Sequence, residues 1–253
     1  MKDNIKYKFL SFLIPIIILA VWYVSTKSGS ISPVVLPAIS KVIESFKEQI
    51  ISGQLMKDIS SSLIRVLKGY SIAVVSGVSI GTIMGMSKVW NNIFSLTLHT
   101  IRQIPMLAWI PLIILWFGIG EESKVAVIVL GAFFPIMINT TSAMKQTQKS
   151  YIEVAKLYKL NKWDTFKKVY LPSATPQIFV GLKLGLGISW MAVVAAEMLA
   201  ASSGIGFRIS DARVLMQPDV VIVGMIVIGV IGVIMDKILT KISQKATPWI
   251  STK

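Results

Sequence analysis

Four residues have chemistry at odds with their neighbours. Arg102 and Gln103 interrupt an apolar run just before Ile104-Pro105, Trp109 follows in the same run, and Glu197 lies near the end of a later one. In a membrane, a charged side chain costs at least about 2.5–3.5 kcal/mol on insertion scales, so it faces a bundle interior or an aqueous cavity. Arg102 is therefore a candidate to contact an anion, or to pair with backbone carbonyls or a carboxylate. Glu197 falls near the outer end of its run and Arg102 near the inner end of its own, which argues against a direct pair between them. A carboxylate repels anions, so gate packing or hydrogen bonding at the outer mouth is the role left to Glu197. Lys183 is close enough to an inner end to snorkel, and His99 reads as a hydrogen-bonded packing residue.

Other chemistry is absent from the residue inventory. The 253 residues include no cysteine and a single histidine, so there is no disulfide framework, no thiol nucleophile and no Cys-based metal site. A hydrolase needs a nucleophile with a base, or a metal with several ligands. No such cluster can be assembled here, and neither catalytic nor metal-binding residues are expected. No Gly-x-x-x-x-Gly-Lys-Ser/Thr occurs, so the chain lacks the loop that cradles nucleotide phosphates.

The elements that position these residues follow from composition. The chain is 54% hydrophobic and 15% charged, against roughly 25% charged in ordinary soluble domains. Runs of about 20 apolar residues suffice to cross a bilayer. Six can be marked, at about 9–25, 63–86, 93–117, 125–144, 177–200 and 220–239, which predicts an all-α membrane protein of one transmembrane domain. No small-residue cleavage site closes the first run, which is therefore expected to remain as a membrane helix. The net charge of +14 is spread between the spans and forms no continuous basic patch, so nucleic acid is not an expected partner. Lysines 2, 6, 8 and 88, those between 145 and 168, and those of the tail fall on one face. By the positive-inside rule that face is cytoplasmic, together with both termini.

Between the first two spans, Ile39, Val42, Ile43, Phe46 and Ile50 recur at helical spacing, predicting an amphipathic helix along the outer surface. The second span carries Gly69, Ala73, Gly77, Gly81 and Gly85, and the fifth Gly181, Gly185 and Ser189. Such rows let helix backbones approach closely, within the subunit or across a subunit interface.

Residues 150–172 are the longest polar insertion on the cytoplasmic side and read as a helical hairpin. Ser150 and Glu153 fit a capping box, and Ile152, Ala155 and Tyr158 then share a face. Asn161 is a natural second N-cap with Asp164 three residues on. Trp163, Phe166, Val169 and Tyr170 line the second helix, which Pro172 is expected to stop. The hairpin either caps the bundle or docks on a cytoplasmic partner.

Glu153-Val154-Ala155, three residues, Lys159, nine residues, Val169, one residue and Leu171-Pro172 together resemble the EAA motif of bacterial ABC importer permeases. The spacing matches without a gap. Lys159 stands where the family has glycine, so either it takes a left-handed conformation or the turn shifts toward Leu160 and Asn161. Val35-Leu36-Pro37, the segment 104–112 running into 116–121, and Ala196-Glu197 followed by Gly204-Ile205-Gly206 are similar to permeases for nitrate, sulfonates and taurine. Some relatives of that group carry thiamine precursors.

The resemblance implies a type I importer permease fold with 150–172 as the coupling hairpin. It also implies a permease dimer, most simply a homodimer, two cytoplasmic ATPase subunits that hold the ATP and magnesium, and an extracytoplasmic solute-binding protein. The chain itself is then a non-catalytic subunit without a cofactor, lying in the cell membrane and moving an anionic solute or a pyrimidine precursor. The competing reading is an ion-coupled secondary transporter, for which internal repeats and broken spans are the expected marks.

Overall fold

A computed structural model describes the backbone of residues 2–249 and the side chains of residues 12–249. Among them every regular element is helical. In chain order these are α1 (Lys2–Lys27), α2 (Ile39–Ile51), α3 (Gln54–Met86), α4 (Lys88–Arg102), α5 (Met106–Phe117), α6 (Glu121–Lys145), α7 (Lys149–Leu157), α8 (Lys162–Thr165), α9 (Leu171–Ala200), α10 (Ile205–Val214) and α11 (Pro218–Ala246). By length and composition α3, α6, the continuous stretch Lys162–Ala200 and α11 can each cross a membrane. The bent pair α4 and α5 makes a fifth candidate, and Phe12–Lys27 is a shorter apolar helix. The lysines expected to precede the first span lie outside the described side chains.

Both rows of small residues face α6. A Cβ added at Gly69, Gly77 or Gly81 would come within 2.6, 2.9 and 2.7 Å of Ile128, Ile136 and Thr140 in turn, and one at Gly85 would strike Met144. Residue numbers rise together along this seam, so α3 and α6 run in the same direction. From α9, Gly181 lies against Asn139 and Gly185 against Ile136, the residue that Gly77 also meets, with the numbers running oppositely. The small residues thus serve packing within the subunit. Lipid supplies no water-driven force between helices, so this close approach provides the van der Waals contact that holds them. Polar ties add to it, from Gln177 Nε2 to Asn139 Oδ1 at 2.8 Å and from Tyr70 Oη to the Leu182 carbonyl at 2.9 Å.

Because α3 and α6 are parallel, the chain between them must return across the full thickness. It does so in two pieces, α4 and α5, bent by 98° at a break over residues 103–105. Sequence hydropathy merges the two pieces into one span because only Arg102 and Gln103 interrupt the apolar run at the break. Pro105, which precedes α5, adopts φ −55° and ψ 134° and turns the chain out of the helix, while the residue before a proline is itself biased away from helical angles.

The fifth span also differs from the expected one. Pro172 does not stop the second hairpin helix, because Phe166–Tyr170 winds as a π turn and leads directly into α9. A proline inside an α-helix loses one hydrogen bond and clashes with the carbonyl four residues back. The wider turn, in which the Leu171 N–H reaches the Phe166 carbonyl, accommodates that misfit just before Pro172.

Substituting Gly81→Leu forces a side chain into Thr140 and the Met137 carbonyl. Overpacking of this kind is expected to cost about 1–3 kcal/mol, read as a lower denaturation temperature in detergent. Gly187→Ala, whose added Cβ meets nothing within 4 Å, should leave that temperature unchanged or slightly higher.

Candidate functional site

At one end of the bundle, Glu197 is fully buried and lies in a polar network that spans four segments. Arg65 of α3 is 4% exposed and uses all five of its N–H donors. Nε and Nη2 grip Glu121 at 2.7 and 2.8 Å, Nη1 reaches Glu197 Oε1 and the Ser203 carbonyl at 2.7 Å each, and Nη2 also reaches Ser203 Oγ at 2.9 Å. Glu197 accepts in addition from Ser62 Oγ at 2.8 Å and from the Gly206 N–H at 2.9 Å. Alongside, buried Asp58 accepts from the Gly204 N–H at 3.1 Å and pairs with Arg208 Nε at 3.0 Å. Lys124, also buried, donates to Glu121 at 3.2 Å.

Gly204 has φ +110°, and a Cβ there would collide with the Glu197 carboxylate. The Gly-Ile-Gly segment is therefore needed for backbone amides to wrap a buried anion. Sequence reasoning noticed Glu197 and these glycines but not their partners. Spans and charge bias give Arg65, Lys124 and Arg208 no role of their own. The available signal was spacing: Asp58, Ser62, Arg65 and Gly69 fall on one helical face, continuous with the small-residue row.

The hairpin lies at the other end. From Arg65 to Gly85 the helix rises about 30 Å, one hydrocarbon thickness, and Met144 at the Gly85 level joins Ala174 and Ile178 in a core patch against which Phe166 and Tyr170 pack. The capping box does not form: Gln148 is the N-cap of α7, and no side chain caps it. Asn161 does cap α8, its Oδ1 accepting from the Asp164 N–H at 2.8 Å. Lys159 adopts φ 51°. The Leu160 N–H reaches the Ala155 carbonyl at 3.0 Å and the Lys159 N–H the Lys156 carbonyl at 2.9 Å, closing α7 as a Schellman turn with lysine in glycine's place.

Of the motif residues, Ala155 is buried, Leu160 and Val169 are half-buried, and Glu153, Val154, Leu171 and Pro172 are exposed. Val154, Ala155, Leu160, Val169 and Pro172 line an apolar groove of about 510 Å³, which Trp249 also borders. The tip leaves Leu157 81%, Tyr158 78% and Trp163 69% exposed.

The remaining candidates separate. Arg102 and Trp109 come together at a cavity of about 330 Å³ in the break between α4 and α5. Gln103 is exposed at the break itself, and Glu197 belongs to the buried network and not to this cavity. His99 is exposed in the last turn of α4 and packs into no core. Lys183 lies 3.6 Å from Asp236 of α11.

Residues 73–247 match the family described as binding-protein-dependent transport system inner membrane component. The protein named as aliphatic sulfonates transport permease SsuC of Bacillus subtilis is 37% identical over 237 residues, 94% of this chain and 86% of its own. The taurine transport system permease protein TauC of Escherichia coli is 32% identical over 238 residues, 92% of this chain and 86% of its own. The nitrate import permease protein NrtB of Synechocystis is 37% identical over 150 residues, 59% of this chain and 54% of its own. In fold, the chain resembles one from the inward-facing MetNI methionine ABC transporter, with TM-score 0.55 and 17% identity, over 71% of this chain and 92% of that one.

Removing one member of a buried ion pair leaves an uncompensated charge and costs about 3–5 kcal/mol. Arg65→Met is expected to lose that much in detergent denaturation, and Arg65→Met with Glu197→Met to recover part of it. A loss in the double variant equal to the sum of the two single losses would mean that the two groups do not act as a pair. Lys159→Gly, which removes the strain of a left-handed lysine, is expected to raise stability by up to about 1 kcal/mol in the same assay.

Proposed function

Because the chain belongs to the binding-protein-dependent transport system inner membrane components, and so is an ABC importer permease, we propose that it works as one transmembrane domain in a homodimer. Two cytoplasmic ATPase subunits, which bind the ATP and magnesium, seat on the hairpins of the pair, and a solute-binding protein docks on the opposite face. The chain performs no chemistry of its own. Both termini lie on the cytoplasmic side with the hairpin, in keeping with the lysines between 145 and 168.

The observation that carries this reading is the bare hairpin tip. Leu157, Tyr158 and Trp163 are large, apolar and exposed on a segment otherwise rich in lysine. Surfaces of that kind are covered by a partner. The hairpin's second half is continuous with the helix that ends at Glu197, since Lys162–Ala200 forms a single 39-residue stretch. Displacement of the tip by an ATPase therefore reaches the outer network as rigid-body motion, the mode by which packed helices switch between states. Transport follows as alternating access, with the ATPases closing inside while the loaded binding protein sits outside.

The solute is an anion of the sulfonate, taurine or nitrate type, as the names of the relatives suggest. A broken span is a mark of ion-coupled transporters as well, but the match in family and hairpin favours the importer.

Glu153→Arg reverses the charge on the exposed face of α7. The variant is expected to fold and reach the membrane normally, yet to lose the rise in ATPase activity that the loaded binding protein evokes in proteoliposomes. Full stimulation in a correctly inserted variant would remove the hairpin from the coupling path.

A further inference from the structure

α9 carries one narrow exposed line. Between residues 174 and 198 of this helix the exposed positions are Val180, Leu184, Gly187, Met191 and Met198, and Val194, half-buried, lies on the same line. Successive members are thus separated alternately by four and three residues. Every other position in that stretch is buried or half-buried, whereas Met191 on the line is 71% exposed. The other sides of α9 pack against α3, α5, α6, α10 and α11.

A face turned to lipid needs neither a narrow width nor a fixed repeat. On α11 the exposed positions come in adjacent groups, at 225–226, 229–230, 233–234 and 236–238, and cover a broad side. Alternation of four and three averages about 3.5 residues, the repeat that keeps one seam of a helix against a second helix along its whole length. From Val180 to Met198 the seam rises about 27 Å, most of the hydrocarbon thickness. Its chemistry suits a copy of itself. The six residues have no charged or hydrogen-bonding side chain, so two such seams oppose no like charges and bury no unpaired polar group. Regular interdigitation supplies the van der Waals contact that must replace a water-driven force in lipid, and the two methionines adapt to fill gaps.

We propose that α9 pairs with α9 of a second copy of this chain along residues 180–198, and that this seam lies on the two-fold axis of the permease pair. The inference rests on the homodimer reading and names the face that makes it. With the axis along the membrane normal the two helices run parallel, and each residue of the seam meets its own counterpart, as an isologous interface requires. Each α9 is continuous with its own hairpin. ATPases that draw the hairpins together therefore change the angle at which the two helices cross, and a seam locked in one arrangement blocks coupling.

The chain has no cysteine, and two cysteines bridge only where their Cα atoms come within about 7 Å, so a single introduced cysteine reports one position. Leu184→Cys and Met191→Cys test the seam, and Ile226→Cys and Ile234→Cys test the exposed side of α11. Each is made in the full chain, assembled with the ATPase that co-purifies with it, and oxidised in native membranes with copper phenanthroline. The seam variants are expected to give disulfide-linked dimer in roughly fivefold or greater excess over the α11 variants, as that distance limit requires. Oxidised Met191→Cys should also lose the ATPase stimulation evoked by the binding protein purified with its retained solute, and dithiothreitol should restore it. Co-elution with the ATPase verifies assembly, and Met198→Cys stands in for a seam variant that fails to assemble. Dimer from the α11 variants alone, or from none of the four while stimulation persists, overturns the seam and leaves the importer standing. Absence of stimulated ATPase activity in the unmodified chain overturns the importer reading, and the crosslinks then decide the seam by themselves.

Discussion

A buried guanidinium is tolerable only if every donor finds an acceptor, because a half-satisfied polar network is worse than an apolar one. Arg65 meets that demand with Glu121, Glu197 and Ser203. Its three partners come from the start of α6, the end of α9 and the loop before α10, so one side chain fixes where three separate stretches of chain meet. Asp58 and Ser62, on the same face of α3, extend the clamp to the Gly204 and Ile205 amides. The Gly-Ile-Gly segment follows from this, since only glycine lets the backbone close over Glu197.

With that end pinned, the remaining length of the bundle is a packing problem in lipid. α6 solves it by accepting two small-residue rows, parallel from α3 and antiparallel from α9, which meet at Ile136. α11 joins through Trp190, whose indole N–H reaches the Ile228 carbonyl at 3.0 Å, and otherwise leaves much of its apolar surface outward. α1 likewise exposes large apolar residues from Phe12 to Val24. Helices that are apolar all round belong in a membrane, so the bare flanks are the surfaces expected to meet lipid.

The same architecture constrains how motion can pass through the protein. The hairpin and Glu197 stand at opposite ends of one continuous helical stretch, and the π turn lets that stretch pass Pro172 without a sharp kink. A displacement at the tip must therefore move α9 as a body or disturb the network at its far end. The break between α4 and α5 is the contrasting element, the one bent pair among the candidate spans of the described residues.

Hydropathy by itself determined that the chain lives in a membrane and roughly where it crosses, because burial in lipid requires long apolar runs whatever the neighbours are. Spacing determined the hairpin, since capping and turn chemistry at Asn161 and Lys159 are local, and the small-residue rows were legible as contact faces. Tertiary structure decided what those faces touch, and it overruled local rules where a longer-range demand was stronger, at the unused Ser150 capping box and at Pro172. It alone paired Arg65 with Glu197 and, among the described residues, gave Arg102 no carboxylate. Both arginines are basic residues in or near apolar runs, and the spacing that sets Arg65 on one helical face with Asp58, Ser62 and Gly69 names no partner for it. The difference is whether carboxylates from segments more than 50 positions away arrive beside the guanidinium, as Glu121 and Glu197 do for Arg65. That is a property of how the helices assemble, to which no single stretch of sequence has access.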